Sequence, residues 1–169
     1  MAFAAIMDAC CNVSNNDYTQ FEDPYIGTGG HGHTFPGPVM PHGMIQPSPD
    51  TRIDGWDACS GYHYTDSLIN GFTQNHLSGT DCADYGDFLL MPTVGEQKID
   101  PQCDSLQNRP FESVFSHADE VATPGYYSTL LKTYGIKAEI TAANRAAIYR
   151  FTYPETNDAG IILDVDYSI

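Results

Sequence analysis

From residue 126 onward the chain alternates with a period of two. Ile136, Ala138, Ile140 and Ala142 are separated by Lys137, Glu139 and Thr141. Ala147, Tyr149, Phe151 and Tyr153 alternate with Ile148, Arg150 and Thr152, and Ile161, Leu163, Val165 and Tyr167 with Ile162, Asp164, Asp166 and Ser168. Successive side chains of an extended strand point to opposite faces. Each stretch therefore turns one set toward a core and the other toward solvent or a second layer. Tyr126 to Tyr134 is a further β-prone run that ends at Gly135, and the Pro154 to Gly160 stretch supplies another turn. Four successive strands with short links predict an antiparallel meander, the common content of a β-sandwich.

The rest of the chain is less regular. Residues 1–20 are small and polar, Asn-rich from Asn12 to Asn16, and expected to be unordered. Residues 21–110 are dense in Gly, Pro, His and Asp. Tyr85 to Val94 reads as a strand with Phe88, Leu90 and Pro92 on one face. Met40 to Gln46 reads as another, broken by Pro41. Asp66 to Leu77 is the one place for a helical turn, weakened by Gly71. With 15 Gly and 11 Pro among 169 residues, the expectation is an all-β domain with few or no helices. The chain stops at Ile169, in or just after an apolar strand, and an edge ending this way predicts a piece of something longer.

Charge narrows the partners. With 22 acidic and 7 basic side chains, the formal net charge is −15, and the first basic residue is Arg52. Nucleic acid and anionic membrane surfaces both require clustered Lys and Arg, so nucleic acid is excluded and an anionic membrane surface is disfavoured. A neutral polar ligand such as a sugar, or a cation, remains. The chain is 41% hydrophobic and 12% aromatic, enough to build a core, unlike a disordered acidic tail. No apolar run is long enough to span a membrane. Met1 to Ile6 is apolar without a positive flank, and Met7-Asp8-Ala9-Cys10-Cys11 resembles the cysteine site of a bacterial lipoprotein signal, which Asp8 fits poorly. The two readings of residues 1–20 are an unordered terminus and a signal or lipoprotein remnant. The five cysteines are Cys10, Cys11, Cys59, Cys82 and Cys103, odd in number and without a C-x-x-C pair. They read as thiols rather than a zinc knuckle, with a Cys59–Cys82 disulfide open to an exported protein.

Three segments carry chemistry. Tyr25-Ile-Gly-Thr-Gly-Gly-His-Gly-His-Thr-Phe-Pro-Gly37 has glycines that let backbone approach a ligand, but no Lys in the P-loop pattern. His31 and His33 are open to three roles: metal ligands, satisfied loop histidines, or the polar wall of a pocket. Asp50 to Tyr64 holds Trp56, the only tryptophan, among Gly and Asp. It is either a core residue or a face that stacks on a sugar ring while carboxylates accept hydrogen bonds from its hydroxyls. Asn75 to Asp87 places Asp81, Asp84 and Asp87 three apart. That spacing does not match the alternate-position ligands of an EF-hand loop and reads as turn or strand-capping residues. No nucleophile elbow is present.

The runs 25–37, Ser48-Pro-Asp-Thr-Arg52, Gly55-Trp-Asp57 with Cys59-Ser-Gly-Tyr-His-Tyr64, and His76-Leu-Ser-Gly-Thr80 with Asp84-Tyr-Gly-Asp87 resemble the amino-terminal domain of glycoside hydrolase family 92. These are calcium-dependent exo-acting α-mannosidases common in gut Bacteroidetes. Pro124-Gly-Tyr-Tyr-Ser128 and the stretch from Glu139-Ile-Thr-Ala142 through Arg145 fit the same pattern, and the resemblance covers about Phe21 to Asp166.

It implies a β-sandwich of the galactose-mutarotase-like supersandwich type, present incompletely over residues 21–169. The sandwich would pack on a larger (α/α)-barrel domain that is absent here. It further implies inverting hydrolysis, which needs a carboxylic acid and a carboxylate base set well apart. Acid, base and calcium ligands are expected mainly on the barrel, so the resemblance assigns no catalytic residue and no metal ligand to this chain. Its substrate-binding candidates are Gly29, Gly30 and His31, then Trp56, Asp57 and Cys59, and then His76 and Asp84. Ala58 stands where the family often has an aromatic, which is expected to reshape the pocket wall.

The implied function is a fragment, inactive alone, of an enzyme trimming terminal mannose from a mannose-containing glycan. Its partner would be the catalytic domain of the same polypeptide, and the implied location is exported, periplasmic or outer-membrane lipoprotein. The alternatives are a stand-alone carbohydrate-binding module and a metal-binding protein using His31, His33, His63 and His76.

Overall fold

The computed structural model describes residues 17–79, 85–97, 99 and 109–167. Its strands are β1 (Ser48–Asp50), β2 (Leu68–Ile69), β3 (Gly71–Thr73), β4 (Leu89–Val94), β5 (Ser113–Val114), β6 (Val121–Thr123), β7 (Tyr126–Leu131), β8 (Ile136–Ala142), β9 (Ala147–Thr152) and β10 (Ala159–Asp164). Helical content among the described residues is confined to short 3-10 turns at Tyr18–Phe21, Trp56–Ala58 and His117–Asp119. Two four-stranded antiparallel sheets, β1-β3-β4-β10 and β6-β7-β8-β9, make a sandwich, and β2 pairs with β5 beside them.

The second sheet follows directly from its sequence. Pro124-Gly125 joins β6 to β7 in a tight turn, with Pro fixing φ and Gly125 at φ +78, the pairing a type II turn requires. Gly135, at φ +66, closes the β7–β8 hairpin ahead of the Leu131–Ile136 pair. On β8, Ile136, Ala138 and Ile140 are buried while Lys137 and Thr141 are exposed, and β9 alternates in the same way. The one exception is Glu139, buried on the outer face, where Arg150 makes a two-pronged ion pair with it and the Tyr126 hydroxyl donates to it.

The core lies between the sheets. Phe72, Leu89, Met91 and Ile162 of the first sheet meet Tyr127, Leu131, Ile136, Ala138 and Ile140 of the second. The Phe72 ring stands 6.5 Å from Tyr149 and 6.0 Å from Phe151 across the interface. Fully burying side chains of this size contributes about 1.5–3 kcal/mol each before entropy is subtracted.

Several expectations change. The meander is β6 to β9; β10 crosses to the other sheet and pairs with β4 from Ala159–Val94 to Asp164–Leu89. Alternation assigns faces, not neighbours, and Pro154, with no N–H to donate, ends β9 and frees the chain to leave that sheet. Of the two β10 sets, Ile162 faces the core, while Ile161 and Leu163 stay 54% and 56% exposed. Residues 85–94 yield a strand only from Leu89. Tyr85 and Asp87 hold left-handed φ values of +75 and +65, which break an extended run. Leu89 and Met91, not Phe88 and Leu90, are fully buried. Residues 66–77 form β2 and β3 rather than a helical turn, because pairing with β5 and β1 takes their backbone groups. Residues 40–46 form no strand; Pro41 sits in a turn closed from Gly43 N to the Met40 carbonyl. Residues 1–16 lie outside the described residues, and Asp17 caps the turn at Tyr18–Phe21 within the stretch expected to be unordered.

Candidate functional site

The glycine loop is a series of turns pinned by its own backbone. Thr28 N donates to the Tyr25 carbonyl, Gly32 N to Gly29 and Thr34 N to Gly27. A Cβ at Gly32 would fall 2.2 Å from the Gly27 carbonyl oxygen, so only glycine closes this loop. The loop is then tied to the 60s segment. Tyr64 N donates to the Thr28 carbonyl at 2.8 Å, and His63 Nε2 reaches the Gly30 carbonyl at 3.1 Å.

The second segment leaves β1 and turns back on itself. Thr51 N and Arg52 N both donate to the Gly61 carbonyl, and the Trp56–Ala58 turn sits at the tip. At Gly61, with φ +72, an added Cβ would lie 2.3 Å from Asp50 Oδ1 and 2.8 Å from the His76 ring. Arg52 grips Asp66 through Nε and Nη2, which holds the base of this loop.

The two segments meet at one point. His31 Nδ1 lies 2.7 Å and His33 Nε2 3.1 Å from the same Asp57 Oδ1. The Trp56 ring stands 4.7 Å from the His31 ring and 4.9 Å from the His33 ring. Hydrogen bonds from His31 and then His33 hold the Asp57 carboxyl below its ordinary range. Trp56 is 52% and the His31 side chain 68% exposed, with Gly29 and Gly30 exposed beside them. The result is an open surface with an aromatic face, imidazole edges and one carboxylate. Such a surface stacks on the apolar face of a ring and hydrogen-bonds its polar rim.

Support comes from behind. Glu120, buried, accepts hydrogen bonds from the Tyr62 and Tyr127 hydroxyls and faces His117 Nδ1 at 2.7 Å. Burial, then the Glu120 charge, pushes both phenols far above their ordinary range, so they remain donors. His117 Nε2 lies 2.6 Å from the Tyr64 carbonyl, and its ring stacks on Tyr64 at 4.0 Å. A path of direct contacts therefore runs from β7 in the second sheet to the edge of the glycine loop.

The sequence-derived candidates divide in place. Gly29, Gly30, His31, Trp56 and Asp57 converge on the exposed surface. Cys59 and Ala58 are buried, so Ala58 faces inward from the turn instead of lining the surface. His76 is buried with its Nε2 on Asp50 at 2.5 Å and its Nδ1 on the Gln46 carbonyl. Asp84 lies outside the described residues, as do Asp81 and Cys82, the proposed disulfide partner of Cys59. Missing from the sequence-derived binding set were His33, which pairs with Asp57, and Tyr64, which is 43% exposed beside Gly29. Tyr64 ends the Gly-Tyr-His-Tyr run, and two aromatics around a histidine were the available signal.

The fold and this surface define a β-sandwich domain with a loop-built aromatic and imidazole face. The chain belongs to glycosyl hydrolase family 92, matching the family's N-terminal domain over residues 22–169. It is 34% identical over 144 residues to a protein of Arthroderma benhamiae described as an uncharacterized secreted glycosidase, covering 83% of this chain and 18% of that protein. A family GH92 α-mannosidase from Bacteroides thetaiotaomicron, solved with mannoimidazole, superposes with a TM-score of 0.82 at 42% identity, over 89% of this chain and 20% of that one. A family GH92 inverting mannosidase from the same organism gives 0.70 at 32% identity, over 86% and 19%. The chain thus spans about a fifth of the length of these relatives. No helix among the described residues is long and apolar enough to cross a membrane.

Proposed function

We propose that this chain supplies one wall of the terminal-sugar site of an inverting exo-α-mannosidase and does not hydrolyse mannosides by itself. The observation that carries the reading is the half-exposed Trp56 ring standing against His31 and His33, which share Asp57. Trp56 stacks on the C–H face of a terminal mannose of a glycan. Asp57 accepts from its hydroxyls, and the Gly29–Gly30 backbone approaches closely. The α-mannosidase relatives support the choice of sugar.

Inversion requires two carboxyl groups about 6.5–9.5 Å apart across the scissile bond. Acid and base are assigned to the barrel domain of a longer polypeptide, as the family resemblance implies. Calcium is assigned there too. Among the described residues the one group of potential ligands is His31, His33 and Asp57, and two ring nitrogens with one carboxylate do not fit a cation that takes six to eight oxygens. Export is part of the proposal, supported by the relative described as secreted.

The test is an α-mannosidase assay on the 169-residue chain and on a polypeptide extended through a barrel domain. Only the extended form is expected to turn over, and Trp56→Ala in it is expected to lower turnover at least about tenfold, the effect of removing one stacking face. Hydrolysis by the 169-residue chain would overturn the division of labour.

A further inference from the structure

We propose that His31, His33 and Asp57 form a binding site for a divalent transition-metal ion of the zinc class. Two imidazole nitrogens and a carboxylate oxygen are the donor set of open zinc sites with three protein ligands and water in the fourth position. Imidazole also suits copper, nickel and cobalt, whereas calcium requires an oxygen cage.

The geometry is close to what such an ion needs. Tetrahedral bonds of about 2.1 Å place neighbouring ligand atoms about 3.4 Å apart. Here the two imidazole-to-carboxylate separations are 2.7 and 3.1 Å, and all three atoms lie within 4.8 Å of one another. Opening the His31 separation by about 0.7 Å and the His33 separation by about 0.3 Å, with the two ring nitrogens brought to about 3.4 Å from each other, forms the site. The ion then takes the place of the N–H protons on Asp57 Oδ1, each neutral imidazole binding as the tautomer that carries its proton on the other ring nitrogen.

The surroundings favour this trio over the other histidines. His33 is buried and held at φ +52, with its carbonyl bound by Gly79 N, so one ligand is fixed by the fold. His31 is exposed and adjusts, and it leaves an entry path. Trp56 walls the site against both rings. By contrast, His63 faces Thr65 and the Gly30 carbonyl, His76 faces Asp50 and Gln46, and His117 faces Glu120 and Tyr64. A four-histidine site of His31, His33, His63 and His76 is therefore not assembled among the described residues.

Trp56 is the only tryptophan, so its fluorescence reads this site alone. Titrating copper(II) or cobalt(II) chloride into the 169-residue chain, in buffer free of chelators, is expected to quench it saturably at one equivalent. Zinc chloride should compete, and calcium chloride should do neither. His31→Ala and Asp57→Asn each raise the midpoint at least about tenfold, the scale for losing a group that holds a metal, while His42→Ala leaves it unchanged. His31 is exposed, so its variant keeps the fold, which circular dichroism checks. Absence of a saturable quench, or an unchanged midpoint in both His31→Ala and Asp57→Asn, would overturn the site. No sugar enters the experiment, so its outcome is separate from that of the mannosidase reading.

Discussion

The second sheet and the loop surface are built by different means. Strands β6 to β9 are neighbours in sequence as well as in space. Their order rests on backbone ladders, short turns and buried apolar side chains. The loop surface joins residues 24 to 26 positions apart, and it rests on side-chain and carbonyl contacts at the end of a turn. The contrast teaches that the packed sheet and the exposed aromatic and imidazole surface are separable parts of this chain, linked through Glu120, His117 and Tyr64.

Breaking the core tests that separation most severely. Phe72→Ala removes a fully buried ring at the sheet interface and is expected to cost about 3–5 kcal/mol. For a chain of this size that lowers the calorimetric Tm by roughly 10 °C and takes the loop surface with it. Next in size, Tyr127→Phe removes one of the donors to buried Glu120, at about 1–3 kcal/mol by denaturant unfolding. If β7 supports the loops as described, this variant also changes Trp56 fluorescence, whereas an unaltered spectrum would cut the proposed link.

Glu139 sharpens the comparison through pH. Arg150 first, then Tyr126, holds its carboxyl at about 2, below the ordinary 4.5. A depressed value in the folded state means the contribution is complete above 4.5 and disappears as pH falls toward 2. The Tm difference between the wild type and Glu139→Gln should accordingly be full at neutral pH and narrow across that acid window. A difference that grew on acidification would contradict the pairing. The smallest effect on stability is expected from Trp56→Ala, about 1 kcal/mol or less because the ring is half exposed. A large loss of Tm would return Trp56 to the core.

The same contrast governs what could be read in advance. The alternation along Ile136–Ala142 and Ala147–Tyr153 marked strands, faces and turns, because one strand's pattern is set by its own burial. It did not reveal that β10 would leave the meander for β4, since Ile161 and Ile162 offer an apolar residue to either face. Nor did apolar content locate the true start of β4, which the left-handed Tyr85 and Asp87 decide. In the site, Gly29, Gly30, His31, Trp56 and Asp57 were legible as motif residues. The pairing of His33 with Asp57 and the burial of Ala58, Cys59 and His76 depend on how two distant loops close, which no local spacing encodes.

That closure combines a short span of chain with a long one. The arm carrying Trp56 and Asp57 lies within a loop of about ten residues, sealed by Thr51 and Arg52 on Gly61, and loops of that length close in about 10–100 ns. The arm carrying His31 and His33 has to arrive from a separate stretch of chain and dock on the 60s segment. Contact between the two arms therefore closes spans of 24 to 26 positions, longer than the first loop. The lone tryptophan thus stands where the short closure meets the long one.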